Sequence, residues 1–124
     1  MSPSTVDAFS TLEWGRVDLT RVPHIVVPPP GPRSRDEHTR CTRYFKGLSS
    51  QVKLFPVAFE SGRGCVLRDV DGNDYIDFSS GIYVTTLGHC HPKVSEAIAK
   101  AASQLMNAHD FTTPIKTRLM EKLA

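Results

Sequence analysis

Two histidines flank a cysteine in the segment His89-Cys90-His91, whose residue types are those of metal ligands. On an extended backbone His89 and His91 face the same side, and imidazole is a common zinc ligand. A structural zinc site needs four ligands, however, and Cys41 and Cys65 supply no second pair at motif spacing. We therefore expect no metal here, and we expect both imidazoles to hydrogen-bond to backbone groups at the entrance of the following helix.

The segment Asp69-Val70-Asp71-Gly72-Asn73 is similar to the beginning of a calcium-binding loop, because its carboxylates alternate along the chain. Such a loop needs glycine at its sixth position and glutamate at its twelfth, and these positions hold Asp74 and Ser80. The Asp-Gly pair instead favours a tight β-hairpin, because both residues tolerate a positive φ angle. The pattern therefore predicts a turn and not a cation site.

The glycine-rich segment Gly62-Arg63-Gly64 falls between two predicted strands, so no helix N-terminus would face a bound phosphate. No serine, cysteine and histidine arrangement indicates a nucleophile with its base. A lysine that forms a Schiff base needs an apolar pocket that lowers its pKa, and none of the lysines is in such a setting. The lysines are Lys46, Lys53, Lys93, Lys100, Lys116 and Lys122. We therefore assign no catalytic, cofactor-binding or metal-binding residue from these patterns.

The composition bounds the possible functions. The chain has 124 residues and a net charge of +2, from 15 basic and 13 acidic residues, which does not favour nucleic acid as a partner. No apolar run approaches the roughly 18 residues of a membrane span. Three widely spaced cysteines do not form a disulfide framework, and the acidic N-terminal residues are unlike a secretory signal. We expect reduced thiols and a cytoplasmic location.

The first part of the chain predicts an extension with a stiff connector. Residues 1–33 are weakly patterned and end in the proline-rich run 26–32, which cannot be helical. Such a run is a connector or, alternatively, a ligand for a groove on another protein. Ser34 with acidic residues after it favours a helix start, which predicts a short surface helix at 34–46.

The following segments predict an α+β arrangement. A β-meander is expected with strands at 57–60, 65–70 and 74–78, a glycine turn at 61–64, and a loop at 79–90. Pro92 begins an amphipathic helix that extends to about Met106, and Thr113 caps another that begins at Pro114. We assign 34–106 to one segment and 107–124 to the start of a second domain. The apolar stripe of the last helix has no visible cover, so we expect a piece of a longer protein.

Residues 44–124 resemble a known family when these pieces are taken in order. The run DVDGNDYIDFSSGIYVTTLGHCHPKVSEAIAKAA begins at Asp69, and it follows Tyr44-Phe45 and Phe55-Pro56-Val57. It is similar to the N-terminal part of the class III aminotransferases that depend on pyridoxal phosphate. That family includes 4-aminobutyrate, acetylornithine and ornithine aminotransferases. Each motif alone is weak, and their shared register makes the resemblance specific.

The resemblance implies the N-terminal part of a type I pyridoxal 5'-phosphate enzyme of α/β architecture, working as a homodimer or larger. The meander would belong to its small domain, and the 79–90 loop would lie at the mouth of the active site. Gly81 and Ile82 match a pair that lines the substrate pocket in 4-aminobutyrate-type members, with Tyr83 and Phe111 as further candidates. Ornithine-specific members tend to carry aromatic residues at the positions of Val52 and Ile82, which disfavours ornithine.

In the resembled family, the phosphate-gripping loop, the aspartate on the pyridine nitrogen and the Schiff-base lysine come after the segment that matches here. The resemblance therefore implies a fragment of an enzyme that moves an amino group from an amino-acid or ω-amino donor to a 2-oxo acid. We expect the fragment to be inactive alone, because the cofactor needs a protein site that holds it. The alternative is a small non-catalytic interaction module that associates with an aminotransferase-like subunit.

Overall fold

The computed structural model describes residues 18, 20–45 and 50–124, so Lys46 and much of the predicted extension lie outside the described residues. Its mixed helices and strands confirm the α+β prediction. The elements are α1 (Pro32–Tyr44), α2 (Ser50–Leu54), β1 (Phe59–Arg63), β2 (Val66–Asp69), β3 (Asp74–Ile76), α3 (Ser80–Tyr83), α4 (Pro92–Ala102) and α5 (Pro114–Leu123). They divide into two compact units, Met1–His91 and Pro92–Ala124. The domain boundaries proposed from the sequence stay a prediction.

The three strands form one antiparallel sheet in the order β1-β2-β3. The first strand differs from its prediction, because it begins at Phe59 and continues through Gly62 to Arg63. Residues 61–63, predicted as part of a turn, are therefore strand, and Arg63 pairs directly with Val66. The predicted start at Val57 is wrong, because the N–H of Val57 donates to the carbonyl of Phe55 and not to the neighbouring strand.

The β2–β3 hairpin is built around the fully buried carboxylate of Asp69. One oxygen of Asp69 accepts the backbone N–H groups of Asp71 and Asn73 at 2.9 and 2.8 Å. The other accepts the Tyr75 hydroxyl at 2.7 Å and the Asn73 amide at 2.9 Å. This confirms the predicted hairpin, and it shows that the aspartate of the calcium-like pattern turns inward to close the turn.

The proline-rich connector lies against this hairpin. The side-chain oxygen of Asn73 accepts the N–H groups of Val26 and Val27 at 2.6 and 2.9 Å. The backbones of His24 and Asp74 exchange two hydrogen bonds, of 3.0 and 2.8 Å. The connector is therefore fixed to the outer edge of β3, as a structural part of the first unit.

Helix α1 begins at Pro32, two residues before the predicted start at Ser34. Its N-cap is Gly31, which has no side chain to accept the first N–H groups. The carboxylate of Asp71 replaces the missing cap, because its oxygens accept the N–H groups of Arg33 and Ser34, each at 2.8 Å. The hairpin turn thus caps a helix that is 38 residues away in sequence.

The second unit contains α4 and α5. Thr113 caps α5 as predicted, since its hydroxyl accepts the N–H of Lys116 at 3.2 Å. Helix α4 ends at Ala102 and not near Met106. The Ser103 hydroxyl donates to the Lys100 carbonyl at 2.8 Å, a local side-chain bond of the kind that competes with helical geometry. Among the described residues, no helix has the length and apolar character of a membrane span.

Candidate functional site

The segment after β3, predicted as a loop, contains the helical turn α3 with the opposite hand from an ordinary helix. Its four residues, Ser80, Gly81, Ile82 and Tyr83, have φ angles of 49°, 57°, 60° and 66°. Left-handed backbone brings the Cβ of an L-residue close to the following carbonyl, at a cost of about 1–2 kcal/mol per residue. Positive φ at a β-branched residue such as Ile82 is rare, which is why the sequence did not predict it.

Local hydrogen bonds define this turn. The Ser79 carbonyl accepts the N–H of Ile82 at 2.9 Å, and the Ser80 carbonyl accepts the N–H groups of Val84 and Thr85, both at 2.9 Å. The chain returns to a right-handed conformation at Val84, whose φ is −85°. The left-handed segment is therefore short and bounded, with ordinary backbone after it.

The turn exposes apolar side chains. The exposed fractions of Ile82, Tyr83 and Val84 are 77%, 84% and 82%, and Phe78 and Leu87 are also exposed. We call these five residues the apolar turn. Ile82, Tyr83 and Val84 are consecutive, and exposed apolar groups that cluster on a surface indicate contact with another molecule or another part of a protein. A strained backbone that presents such groups is typical of a binding element.

The buried carboxylate of Asp77 anchors the start of the turn. One oxygen accepts the N–H groups of Ser79 and Ser80 at 2.8 and 3.0 Å. The other lies 2.7 Å from Nε2 of His89. Burial of Asp77 raises its pKa, but the hydrogen bonds from His89, Ser79 and Ser80 outweigh this and hold the pKa below its ordinary value. His89 thus bonds to a carboxylate, and the predicted bond of its imidazole to the backbone is wrong.

The imidazole of His89 lies in a space that glycine provides. The backbones of His89 and Gly64 exchange hydrogen bonds of 3.0 and 2.8 Å. A Cβ atom on Gly62 would lie 2.9 Å from Cγ of His89, closer than real side chains approach. Gly62 therefore makes room for the ring, which explains the glycine within β1. The sequence offered a signal in the two glycines of Gly62-Arg63-Gly64, which suggested only a turn.

The predicted pocket residues fall in both units. Gly81, Ile82 and Tyr83 are consecutive residues of the left-handed turn in the first unit. Phe111 is in the second unit, where its side chain is exposed and its N–H donates to the Ala108 carbonyl at 3.0 Å. The Phe111 carbonyl accepts the Lys116 ammonium at 3.0 Å. Their role in lining a substrate pocket stays a prediction.

An open groove of about 400 Å³ lies within the second unit, between the end of α4 and the beginning of α5. Its walls combine apolar side chains, including Leu105 and Ile115, with the side chains of Lys116 and Arg118. The Lys116 ammonium already donates to the carbonyls of His109 and Phe111, so it orders the loop between the helices.

Comparison with known proteins assigns the family. The sequence profile described as "Aminotransferase class-III" matches residues 48–124, which is more than half of the chain. The chain belongs to the class-III aminotransferase family. The matched range contains the whole sheet, the left-handed turn and both helices of the second unit. The family resemblance of the sequence is therefore confirmed.

Two relatives of this class-III chain show the extent of the similarity. It is 47% identical over 64 residues to an acetylornithine aminotransferase of Clostridium acetobutylicum, covering 52% of this chain and 16% of that protein. It is 38% identical over 94 residues to an alanine/serine racemase of Pyrococcus horikoshii, covering 74% of this chain and 19% of that protein. The chain thus spans less than a fifth of the length of these relatives.

A solved structure supports the same assignment. The class-III chain superposes on a transaminase with bound pyridoxal phosphate, with a TM-score of 0.64 and 30% identity. The match covers 73% of this chain and 22% of that transaminase. The mixed fold is therefore that of the corresponding part of a transaminase.

Over the described residues, no lysine lies in the environment that a covalent site for that cofactor needs. Every lysine whose side chain the structure describes is exposed to solvent, whereas a Schiff-base lysine is desolvated. Gly62 makes room for the imidazole of His89, Gly64 pairs with the His89 backbone, and neither glycine precedes a helix. Over residues 18, 20–45 and 50–124 there is also no group of three metal-ligating side chains arranged to hold an ion.

Proposed function

We propose that this chain forms the N-terminal part of a pyridoxal-phosphate-dependent aminotransferase and supplies one wall of its substrate pocket. The enzyme would transfer an amino group from an amino-acid or ω-amino donor to a 2-oxo acid. The chain alone would not catalyse the reaction. The observation that carries the proposal is the apolar turn, which is exposed and is held on a buried anchor.

The chemistry divides between the cofactor and the wall. Pyridoxal phosphate, when bound, supplies the electron sink for the substrate carbon, and the protein supplies orientation and exclusion of water. Apolar side chains such as Ile82 and Tyr83 are suited to contact the carbon chain of a donor and to displace water from it. Gly81 leaves open space beside them, since a Cβ atom there would approach only Thr85, at 3.8 Å.

Lysine exposure supports the proposal that the chain is inactive alone. Lys53, Lys93, Lys100 and Lys122 are exposed, and the Lys116 ammonium is engaged by two carbonyls. The relatives cover more than one reaction, because an aminotransferase and a racemase both match. We favour transamination because the more identical of these two relatives is named an aminotransferase. A homodimeric assembly and a cytoplasmic location belong to the same proposal.

The experiment is a chimera in which residues 48–124 replace the matching segment of the Clostridium acetobutylicum acetylornithine aminotransferase. In this chimera Ile82→Ala should raise KM for the amino donor about tenfold or more, because one buried apolar wall contact is worth about 1–3 kcal/mol. Leu54→Ala removes an equally exposed apolar side chain away from the turn and should leave KM unchanged. Equal KM values for the two variants would refute the pocket assignment.

A second measurement tests the isolated chain. Incubated with pyridoxal phosphate, it should show neither the visible absorbance of a protein-bound cofactor nor transamination of an amino donor. Absorbance that survives dialysis would contradict the proposed inactivity. Tight association with an intact aminotransferase subunit, with the chimera inactive, would favour the alternative of an interaction module.

A further inference from the structure

We propose that Asp77 and His89 are positioning residues, whose contact holds the left-handed turn in the conformation that presents Ile82 and Tyr83. The assignment of what the turn contacts rests on the proposed function. The assignment of what holds the turn rests on the geometry of the first unit alone.

The turn needs an external support. Four consecutive residues with positive φ are unfavourable for an L-polypeptide, and only Gly81 among them adopts that conformation freely. Side-chain burial does not compensate, because Ile82 and Tyr83 are largely exposed. Strained backbone of this kind persists where its surroundings over-determine it. Beyond the backbone bonds within the turn, hydrogen bonds from a neighbouring side chain to its first residues are therefore the available source of order.

Asp77 supplies those bonds. Its carboxylate accepts the N–H groups of Ser79 and Ser80, which are the residues that enter the turn. The side chain is 5% exposed, so its charge requires compensation within the protein. Because an ionised carboxylate only accepts hydrogen bonds, Nε2 of His89 is the donor across the 2.7 Å contact.

The sheet fixes His89 in turn. Its backbone is paired with Gly64, and its ring lies over Gly62, where a Cβ atom would come within 2.9 Å of Cγ of His89. The chain contains another histidine–aspartate contact, His109 with Asp110, whose side chains are 81% and 94% exposed. His89 and Asp77 are 20% and 5% exposed. The contact between His109 and Asp110 is an ordinary surface contact, whereas the contact between His89 and Asp77 connects the sheet to the turn.

The test is amide hydrogen exchange, measured by NMR on the 124-residue chain, in His89→Gln and His89→Asn. The amide nitrogen of glutamine occupies the place of Nε2, so His89→Gln should keep the exchange of Ser79 and Ser80 within about twofold of the original chain. Asparagine is too short to reach Asp77, so exchange at both amides should accelerate about tenfold. Equal exchange in the two variants would overturn the proposal.

Two controls keep the result specific. The amides of Asp71 and Asn73, which donate to Asp69, report whether the hairpin stays folded. His109→Asn makes the same chemical change in the exposed pair and should leave Ser79 and Ser80 unaffected. If His89→Asn unfolds the hairpin, Asp77→Ala replaces it, because it removes the acceptor of both N–H groups. Unchanged exchange at Ser79 and Ser80 in Asp77→Ala would then overturn the proposal.

The positioning role and the pocket role fail separately. In the chimera, His89→Asn should raise KM for the donor and His89→Gln should restore it. Faster amide exchange with an unchanged KM in both His89→Asn and Ile82→Ala would leave the positioning role standing and remove the pocket wall. A raised KM in Ile82→Ala, with exchange unchanged in His89→Asn, would do the reverse.

Discussion

The β2–β3 hairpin and the left-handed turn lie next to each other in sequence and use aspartate in opposite ways. In the hairpin, Asp69 is fully buried and accepts four hydrogen bonds from three neighbouring residues. In the turn, Asp77 accepts two backbone bonds and leaves the apolar residues beyond it in solvent. The hairpin pairs its own buried polar groups, whereas the turn is anchored at its start and leaves its apolar side chains exposed.

This difference separates the structural residues of the family motif from its candidate site residues. Buried polar groups that are fully paired specify a conformation, because any rearrangement leaves them unsatisfied. Exposed apolar groups on strained backbone do not stabilise the isolated fold. The residues of the calcium-like pattern thus close the hairpin turn. The segment after them, which contains no short catalytic motif, is the candidate site.

The largest effect should come from a substitution in the β2–β3 hairpin. Asp69→Ala removes the acceptor of four hydrogen bonds and leaves buried donors on Asn73 and Tyr75, so it should lower the free energy of unfolding by about 3 kcal/mol or more. Urea titration followed by circular dichroism measures this loss. Asp110→Ala, at an exposed aspartate, should change the value by less than about 0.5 kcal/mol. Similar values for both variants would mean that the hairpin network is not the centre of the first unit.

The next effect has the opposite sign. Ile82→Gly removes a β-branched side chain from left-handed backbone, so it should raise the free energy of unfolding by about 1 kcal/mol. Val84→Gly, at a right-handed position, should lower it. In the chimera, Ile82→Gly should also raise KM for the donor. A destabilising Ile82→Gly would show that the turn is not strained, and the contrast with the hairpin would lose its basis.

The sequence predicted the hairpin well because its signal is local. An Asp-Gly pair between alternating residues specifies a turn from a few positions, and Thr113 before Pro114 specifies a helix start in the same way. The start of α1 was missed because its cap is Asp71, which comes from a distant turn and leaves no pattern beside Pro32. Capping by tertiary contact is invisible to local rules.

The candidate site was predicted in part. Gly81, Ile82 and Tyr83 were named from the family resemblance, whereas their left-handed backbone contradicts the preference of isoleucine and tyrosine. The anchor was missed because Asp77 and His89 are 12 residues apart and belong to no short motif. The imidazole of His89 fits only because Gly62 has no Cβ atom. In the sequence, that glycine indicated a turn and not a close contact with a side chain.

A smaller effect should follow from removing the distant cap. Asp71→Ala leaves the N–H groups of Arg33 and Ser34 without their acceptor and should cost about 1 kcal/mol. Far-UV circular dichroism should show reduced helical signal from α1. Asp36→Ala, on the exposed surface of the same helix, is the matched control. An unchanged helical signal in Asp71→Ala would show that α1 forms without the hairpin.

The smallest effect should come from protonating Asp71, which caps α1, and Asp77, which anchors the turn. A protonated carboxylic acid still accepts hydrogen bonds, so both contacts are weakened and not removed. Burial raises the pKa of Asp71, but the hydrogen bonds from Ser34 and Arg33 outweigh burial and hold that pKa below its ordinary value. The pKa of Asp77 is lowered in the same way, by hydrogen bonds from His89, Ser79 and Ser80. A carboxylate whose folded pKa is lowered contributes stability above its ordinary value of 3.8, and this contribution is lost as the pH falls through the lowered value.

Carboxyl NMR titration in acid should therefore give both aspartates midpoints below the ordinary value. Salt should then separate the two regions. The bond from Arg33 to Asp71 is exposed to solvent, so added salt should move the midpoint of Asp71 back toward the ordinary value. The nearly buried contact between Asp77 and His89 should respond less. An equal response of the two midpoints to salt would mean that the anchor of the turn is no better protected from solvent than the cap of α1.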